Sequence, residues 1–323
     1  LGCFPRRLVE LSEVKKLKIL QEVLGDFYRE GISQLLFFCP RCEHHKKKLS
    51  VNLEKNLFKC WVCDWSGRDL YRVVRRYGLT KHRADWRSFG QQIEINNFAE
   101  KLFGTEEVER PPSIDLPNSF ISLVNKDLPS TAEPPLNYLR SRGLSRDDII
   151  KWKIGYCSKG KYASRIVIPS FGLSGKVNYF VTRAYDNSWR KYLNPTASKN
   201  IIFNELYLDF DEDMVLVEGL FDAVKAGDNS VPLLGSTLTE NSALFQKIIE
   251  NDTPIYLALD SDVDKKTNRL IELFLKYDVE SFRVDISPYK DVGEMSHAEF
   301  LEKKQTAVFL NSDNYLLSKI TGI

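Results

Sequence analysis

The stretch "DMVLVEGLFDAV" (residues 213–224) decides how the second half of this 323-residue chain is built. Met214 to Val217 form an apolar run without alternation, the pattern of a strand buried on both faces. The run ends in Glu218 and Gly219, and Asp222 stands four residues beyond Glu218. Ligands of open parallel sheets bind outside the C-terminal ends of the strands. Glu218 is therefore expected at such an edge, with Asp222 in the first turn of the following helix. The arrangement recurs twice. "IYLALDSDVDKK" (255–266) ends an apolar run in Asp260, Asp262 and Asp264, and "FRVDISPYKDVGEM" (282–295) carries Asp291 and Glu294 past a third strand. Strands alternating with helical segments from about residue 213 onward predict an α/β unit with a mostly parallel sheet. One acid at a strand end can serve only as a helix cap; three in succession favour a shared site. Carboxylates so gathered repel one another unless cations lie between them, and hard oxygen ligands suit Mg²⁺ or Mn²⁺. Such a site can hold about two metals and handle phosphoryl groups.

Upstream, "FCPRCEHHKKKLSVNLEKNLFKCWVCDWSG" (38–67) sets Cys39 and Cys42 seventeen residues ahead of Cys60 and Cys63. Paired Cys-x-x-Cys at this spacing predicts one structural zinc, with all four positions filled by thiolate. His44 and His45 are then surplus. "LSVNLEKNLFKC" alternates like a hairpin turning near Glu54–Asn56, as expected of a zinc ribbon. Lys46, Lys47 and Lys48, with Lys55, Lys59, Phe58, Trp61 and Trp65 nearby, give the mix of charge and aromatics that binds single-stranded nucleic acid. A module this small needs some of those aromatics as core. Phe58 and Trp61 are expected there, leaving Trp65 for the ligand.

The fold class expected for the whole chain is α/β and multi-domain. A helical extension (1–35), with a helix over 13–30, precedes the β-type zinc ribbon (36–78), whose closing helix ends at Gly78. A flexible linker (79–132) follows, marked by prolines at 111, 112, 117 and 129 and holding one short helix at 96–103. Next come an α+β basic subdomain (133–212), the mostly parallel α/β subdomain (213–297) and a tail (298–323). Charge divides along the same lines. Residues 1–90 carry 19 Lys/Arg against 10 Asp/Glu, and 133–204 carry 13 against 4, whereas 205–323 carry 11 against 23. Two basic regions beside an acidic one suit a polyanion partner. No apolar run reaches the ~18 residues a membrane helix needs, so no membrane partner is expected. Only Cys3 and Cys157 lie outside the two pairs, which suits a reducing cytoplasm rather than a disulfide framework. His82 and His297 show no partner pattern and are expected at the surface.

"VEGLFDAV", "LDSD" and "YKDVGEM" together resemble the Toprim domain. "LLGSTLT" (233–239) falls where primases of that class carry a Gly-x-x-Leu-Thr turn. "RIVIPSFGLSGKVNYFVTRAYDNSWRKYLNPTASKNIIFN" (165–204) is similar to the basic half of the DnaG-type primase core, and "NYLRSRGLSRDDIIKWKIGY" (137–156) to its helical entry. The resemblance spans 36–78 and 136–297, and four cysteine ligands make the ribbon more like that of phage primases than cellular ones. It implies a DNA primase, a nucleotidyltransferase that makes short RNA primers on single-stranded DNA for replication. It implies ribonucleoside triphosphates as substrates, a separate replicative helicase as partner and the cytoplasm (of a bacterial host, for a phage protein) as location. Carried over by position, Glu218 acts on metal or as a base, Asp260 and Asp262 bind metal, and Asp222 and Asp291 complete the acidic set. Arg165, Arg183, Lys191 and Asn194 match the basic face for nucleotide and template, with Lys191 also counted as catalytic. One departure is Gly293, where the family carries a second acid, so that Asp291 or Glu294 supplies the third contact.

Other readings compete. A Toprim topoisomerase would need a tyrosine domain and a Toprim nuclease an ATPase, whereas "GLSGKV" (172–177) lacks the spacing of a phosphate loop, so a separate helicase rather than a fused one is expected. A non-enzymatic ribbon-plus-Toprim recombination mediator would lack the Lys-Tyr-Leu-Asn stretch. The tail is expected to be too short for a helicase-binding bundle.

Overall fold

Residues 6–30, 34–89, 113–235, 237–260, 264–311 and 315 are described by the computed structural model. The chain divides into two units, Leu1–Thr105 and Glu106–Ile323.

In the first unit, helix α1 (Arg6–Leu24) precedes strands β1 (Tyr28–Glu30), β2 (Gln34–Phe37), β3 (Leu49–Asn52), β4 (Leu57–Cys60) and β5 (Ser66–Gly67), followed by α2 (Tyr71–Tyr77) and α3 (Thr80–Phe89). The strands form one antiparallel sheet in sequence order. Leu35, Phe37, Leu49, Val51, Phe58 and Cys60 are buried on one side, as the period of two requires. The helix expected over 13–30 stops at Leu24. Gly25 takes the left-handed conformation (φ 81°) and its N–H donates to the Gln21 carbonyl at 2.9 Å, a common glycine helix stop. The chain then enters β1. The three helices pack together, with the Lys16 ammonium 5.5 Å from the Trp86 ring centroid. His82, expected at the surface, is instead buried, its Nε2 3.2 Å from Glu22.

The stretch read as a linker is structured at both ends. Its start is α3, and its end supplies β6 (Phe120–Ser122). Phe120 lies against Gly155, where a Cβ would come within 2.2 Å of its ring. Among the described residues, Pro117, Pro129, Pro134 and Pro135 stand at element ends. The Pro117 carbonyl accepts from Phe120 N at 2.8 Å, and Pro134 and Pro135 occupy the first turn of α4 (Glu133–Ser141), where no intrahelical donor is lost. The short helix expected at 96–103 lies outside the described residues.

The second unit holds two sheets. The first has four antiparallel strands in the order β6, β7 (Gly155–Cys157), β8 (Arg165–Phe171), β9 (Val177–Ala184), with α4 and α5 (Arg146–Lys151) before β7. The second sheet runs β11 (Ser230–Pro232), β10 (Met214–Val217), β12 (Ile255–Ala258), β13 (Ser281–Arg283), β14 (Val308–Leu310). Its first four strands are parallel and β14 is antiparallel to β13. Helices α6 (Leu220–Ala226), α7 (Ala243–Asn251), α8 (Asp264–Lys276) and α9 (His297–Gln305) connect them. Every residue of β10 and β12 is buried, the reason their apolar runs do not alternate.

Of the stretch taken as a tail from 298, the described residues 298–311 belong to this core. Phe300 is fully buried, and Phe309 of β14 packs on Phe282 at 5.5 Å between centroids. The signal was present in "SHAE": Ser296 accepts from Glu299 N while Glu299 accepts from Ser296 N, a reciprocal helix cap.

Candidate functional site

The four cysteine Sγ atoms lie within 4.8 Å of one another. Cys39 to Cys63 and Cys42 to Cys60 are each 3.8 Å apart. A tetrahedral zinc with bonds of about 2.3 Å separates its sulfurs by about 3.8 Å, so the donor set fits zinc in type and spacing. Burial pushes the Cys63 thiol up to about 11 and that of Cys39 upward as well. A cation among them is what would hold four thiolates together. His44 and His45 stand apart from the cluster's donors, their rings tilted by 31° at 4.3 Å between centroids, with His44 Nδ1 accepting from Lys46 N.

The aromatic assignment on the ribbon reverses. Trp65 is fully buried, 4.6 Å from Phe58 and 5.5 Å from Tyr77 between centroids, which takes it out of the template set. Trp61, expected in the core, is 61% exposed. Trp61 sits between the cysteines of the second pair, where the knuckle turns its side chain outward. Trp65 follows the turn, and its carbonyl accepts from Cys60 N at 2.7 Å. Lys59 lies over the Trp61 ring and Lys47 over the exposed Phe38 ring, at 5.0 and 5.2 Å. Lys46 and Lys48 are exposed beside them. Sequence reading missed Phe38, adjacent to Cys39, because an aromatic next to a ligand reads as core.

In the second unit, Glu218 follows β10 and Asp260 lies just beyond the adjacent β12, whose Ala258 pairs with Val217. Asp291 follows the neighbouring β13. Acids thus follow three parallel strands, Asp291 at eight residues beyond the end of β13. Among the described residues these acids do not close into a tight group like the cysteines; Asp262 lies outside the described residues. Glu218 Oε1 accepts from Lys266 Nζ at 2.8 Å, and its Oε2 is buried with no hydrogen-bond partner. An orphaned buried carboxylate oxygen suits a divalent cation.

Asp222 is a brace. Its Oδ2 accepts from Gly219 N at 2.8 Å and its Oδ1 from Gly293 N at 2.9 Å. Burial and the Asp291 charge raise it above the usual carboxylate range, against those two N–H groups and Arg142. The sequence places it among the metal acids, and each of its oxygens accepts one backbone N–H. Asp291 Oδ1 accepts from Glu294 N at 3.0 Å, while Glu294 turns back to accept from Lys290 N. Gly293 is where the turn crosses Asp222, and a Cβ there would stand 2.9 Å from Asp222 Oδ1 and 3.1 Å from Asp291 Oδ1.

Arg142, which sequence reading passed over, reaches this edge. Its guanidinium lies 5.1 Å from the Phe221 ring centroid, near Asp222. The left-handed Gly143 (φ 70°) turns the chain there, and Lys225 Nζ donates to the Gly143 carbonyl. The available signal was the Arg-Gly pair closing α4.

On the antiparallel sheet, Arg183 Nε donates to Tyr138 Oη at 3.0 Å, and its guanidinium covers the Tyr192 ring at 4.8 Å. Lys191 is exposed. Arg165 and Asn194, expected on the binding face, both brace the hairpin that follows β9, Asn194 from a half-buried position. Arg165 is buried and donates to the Arg190 and Lys191 carbonyls at 2.7 and 3.2 Å. Asn194 Oδ1 accepts from Thr182 N at 3.0 Å. Both are drawn inward because the loop carbonyls and the edge of β9 need partners.

Among the described residues, no helix is long and apolar enough to cross a membrane. No family model matches the chain. It is similar to a DNA primase of Thermotoga maritima, 24% identical over 346 residues covering 91% of this chain and 60% of that protein. A DNA primase of Mycoplasma genitalium is 22% identical over 372 residues, 94% of this chain and 59% of the other. The chain thus spans about 60% of the length of these relatives. Among solved structures, the DnaG primase catalytic domain bound to single-stranded DNA matches with a TM-score of 0.51 at 17% identity, over 59% of this chain and 76% of that one. A structure of the DnaG catalytic core matches with a TM-score of 0.51 at 18% identity, over 60% and 78%. The resemblance to primases read from the motifs is therefore met by relatives over 91–94% of the chain, and over about 60% of the chain the fold is similar to that of the DnaG catalytic core.

Proposed function

We propose that this protein is a DNA primase that joins ribonucleotides into short RNA primers on a single-stranded DNA template. The observation that carries the reading is the acidic edge of the parallel sheet, Glu218, Asp260 and Asp291, set in one unit with the basic strand β9 and its loop. Primer synthesis needs both: acids for divalent ions at the reacting phosphates, and cations for triphosphate and template backbone.

Glu218, Asp260, Asp262 and Asp291 would hold Mg²⁺ or Mn²⁺, which supplies charge neutralisation at the transferring phosphoryl group. Asp222 positions Asp291 through the backbone of the 291–294 turn. Arg142, beside the acids, faces the triphosphate, and Arg183 and Lys191 hold nucleotide and template. Lys266 occupies Glu218 when no ion does. The ribbon binds the template through Lys46, Lys47, Lys48, Lys59, Phe38 and Trp61, and a separate helicase delivers the single strand.

The test is synthesis from nothing but a single-stranded DNA template, ribonucleoside triphosphates and Mg²⁺. Template-dependent RNA of a few to tens of nucleotides supports the reading. Cleavage of the DNA without synthesis would favour a nuclease, and neither would leave a binding protein.

A further inference from the structure

Trp189 is 88% exposed, and among the described residues no large apolar side chain is more so. It stands at the tip of the hairpin that follows β9, and the hairpin is firmly built. Arg183 pairs with Tyr192 across it, and Ala184 N donates to the Lys191 carbonyl at 2.9 Å. The buried Arg165 guanidinium clamps the carbonyls of Arg190 and Lys191. Ser188 N donates to Asp186 Oδ1 at 3.1 Å. A turn braced in this way sets the backbone that carries the indole before any partner arrives, so only the side chain remains to be ordered on binding.

The surroundings specify the partner. The same hairpin carries Arg190 and the exposed Lys191, with Arg183 at its base over the Tyr192 ring and Asp186 as its acid, and the Arg190 guanidinium lies 5.4 Å from the Trp189 ring centroid. Clustered cations around an open aromatic face are what unpaired nucleic acid binds, phosphates on the cations and a base on the ring. Trp189 lines neither of the cavities of about 290 and 260 Å³ in this unit, so a strand running over the surface fits better than a small enclosed nucleotide.

We propose that Trp189 is a stacking platform for an unpaired base of the template strand. The inference deepens the primase reading and depends on it. Its test is binding of a labelled oligo-dT by the full chain, compared with an abasic deoxyribose-phosphate strand of equal length, for wild type, Trp189→Ala and Trp189→Phe. Because the side chain is exposed, the variants should melt with the wild type. Trp189→Ala should bind oligo-dT roughly 5- to 100-fold more weakly, the range for loss of one base–aromatic stack. Trp189→Phe should stay near wild type, and all three should bind the abasic strand alike. Unchanged oligo-dT binding by Trp189→Ala would overturn the proposal. So would an equal loss on the abasic strand, or a phenylalanine variant as weak as the alanine one. A wild type that binds no single strand at all would instead remove the primase reading, and this inference with it.

Discussion

Gly293 donates its N–H to Asp222 Oδ1 at 2.9 Å, and through that bond the first turn of α6 holds the loop that carries Asp291. The glycine stands where the family pattern has an acid, and the geometry supplies a reason. A Cβ at 293 would crowd both Asp222 and Asp291. Gly293→Ala should therefore destabilise the second unit by about 1–3 kcal/mol, the usual range for overpacking. Gly293→Asp should cost more, since it adds a third carboxylate. Urea titrations of the two variants check this, and a stable, active Gly293→Asp protein would show that the turn can open.

Glu218→Gln should lower primer synthesis at least roughly a hundred-fold, since a lost metal contact removes several kcal/mol of charge stabilisation. The melting temperature should change little, because the glutamine keeps the shape. Mn²⁺ binding followed by electron paramagnetic resonance gives a second readout, and it should weaken for Glu218→Gln and Asp260→Asn alike. Wild-type Mn²⁺ affinity in both would take these acids out of the metal site.

Arg165 and Lys191 should separate cleanly. Removing the buried guanidinium leaves two loop carbonyls short of donors, so Arg165→Ala should cost about 1–3 kcal/mol or more in stability. Lys191→Ala should melt like wild type, yet need more nucleotide and show a salt slope for single-strand binding smaller by about 0.7. The reverse pattern would return Arg165 to the binding face.

Trp65→Ala should destabilise the ribbon by about 3–5 kcal/mol, as expected for a buried tryptophan. Trp61→Ala should leave stability alone and weaken template binding. Separate melts and binding curves for the two proteins decide the assignment.

Metal analysis should find zinc bound by the four cysteines, and Cys60→Ser should lose it together with the antiparallel sheet of the first unit, because ligation is coupled to folding in so small a module. Loss of zinc without loss of that sheet, seen by hydrogen exchange, would show that the hydrophobic core alone holds it.

The zinc cluster and the acidic edge were legible in the sequence because each rests on a local rule. Two Cys-x-x-Cys knuckles prescribe a tetrahedron, and an apolar run ending in Glu218 or Asp260 prescribes a buried parallel strand with an acid at its open end. What needed the tertiary structure was the direction of side chains whose chemistry permits two roles. Trp61 and Trp65 have the same composition signal, and only the turn of the knuckle sends one outward and the other into the core. Arg165, Arg183 and Lys191 are all cations near one hairpin, yet unmet loop carbonyls draw Arg165 inside. The described ends of the parts taken as linker and tail differ for the same reason. Prolines and polar residues mark where elements end, but whether β6 and β14 join a sheet depends on partners far along the chain, Gly155 and Phe282. Local pattern determines which residues can bury or ligate; the long-range contacts, made only once the chain is folded, decide which of them do.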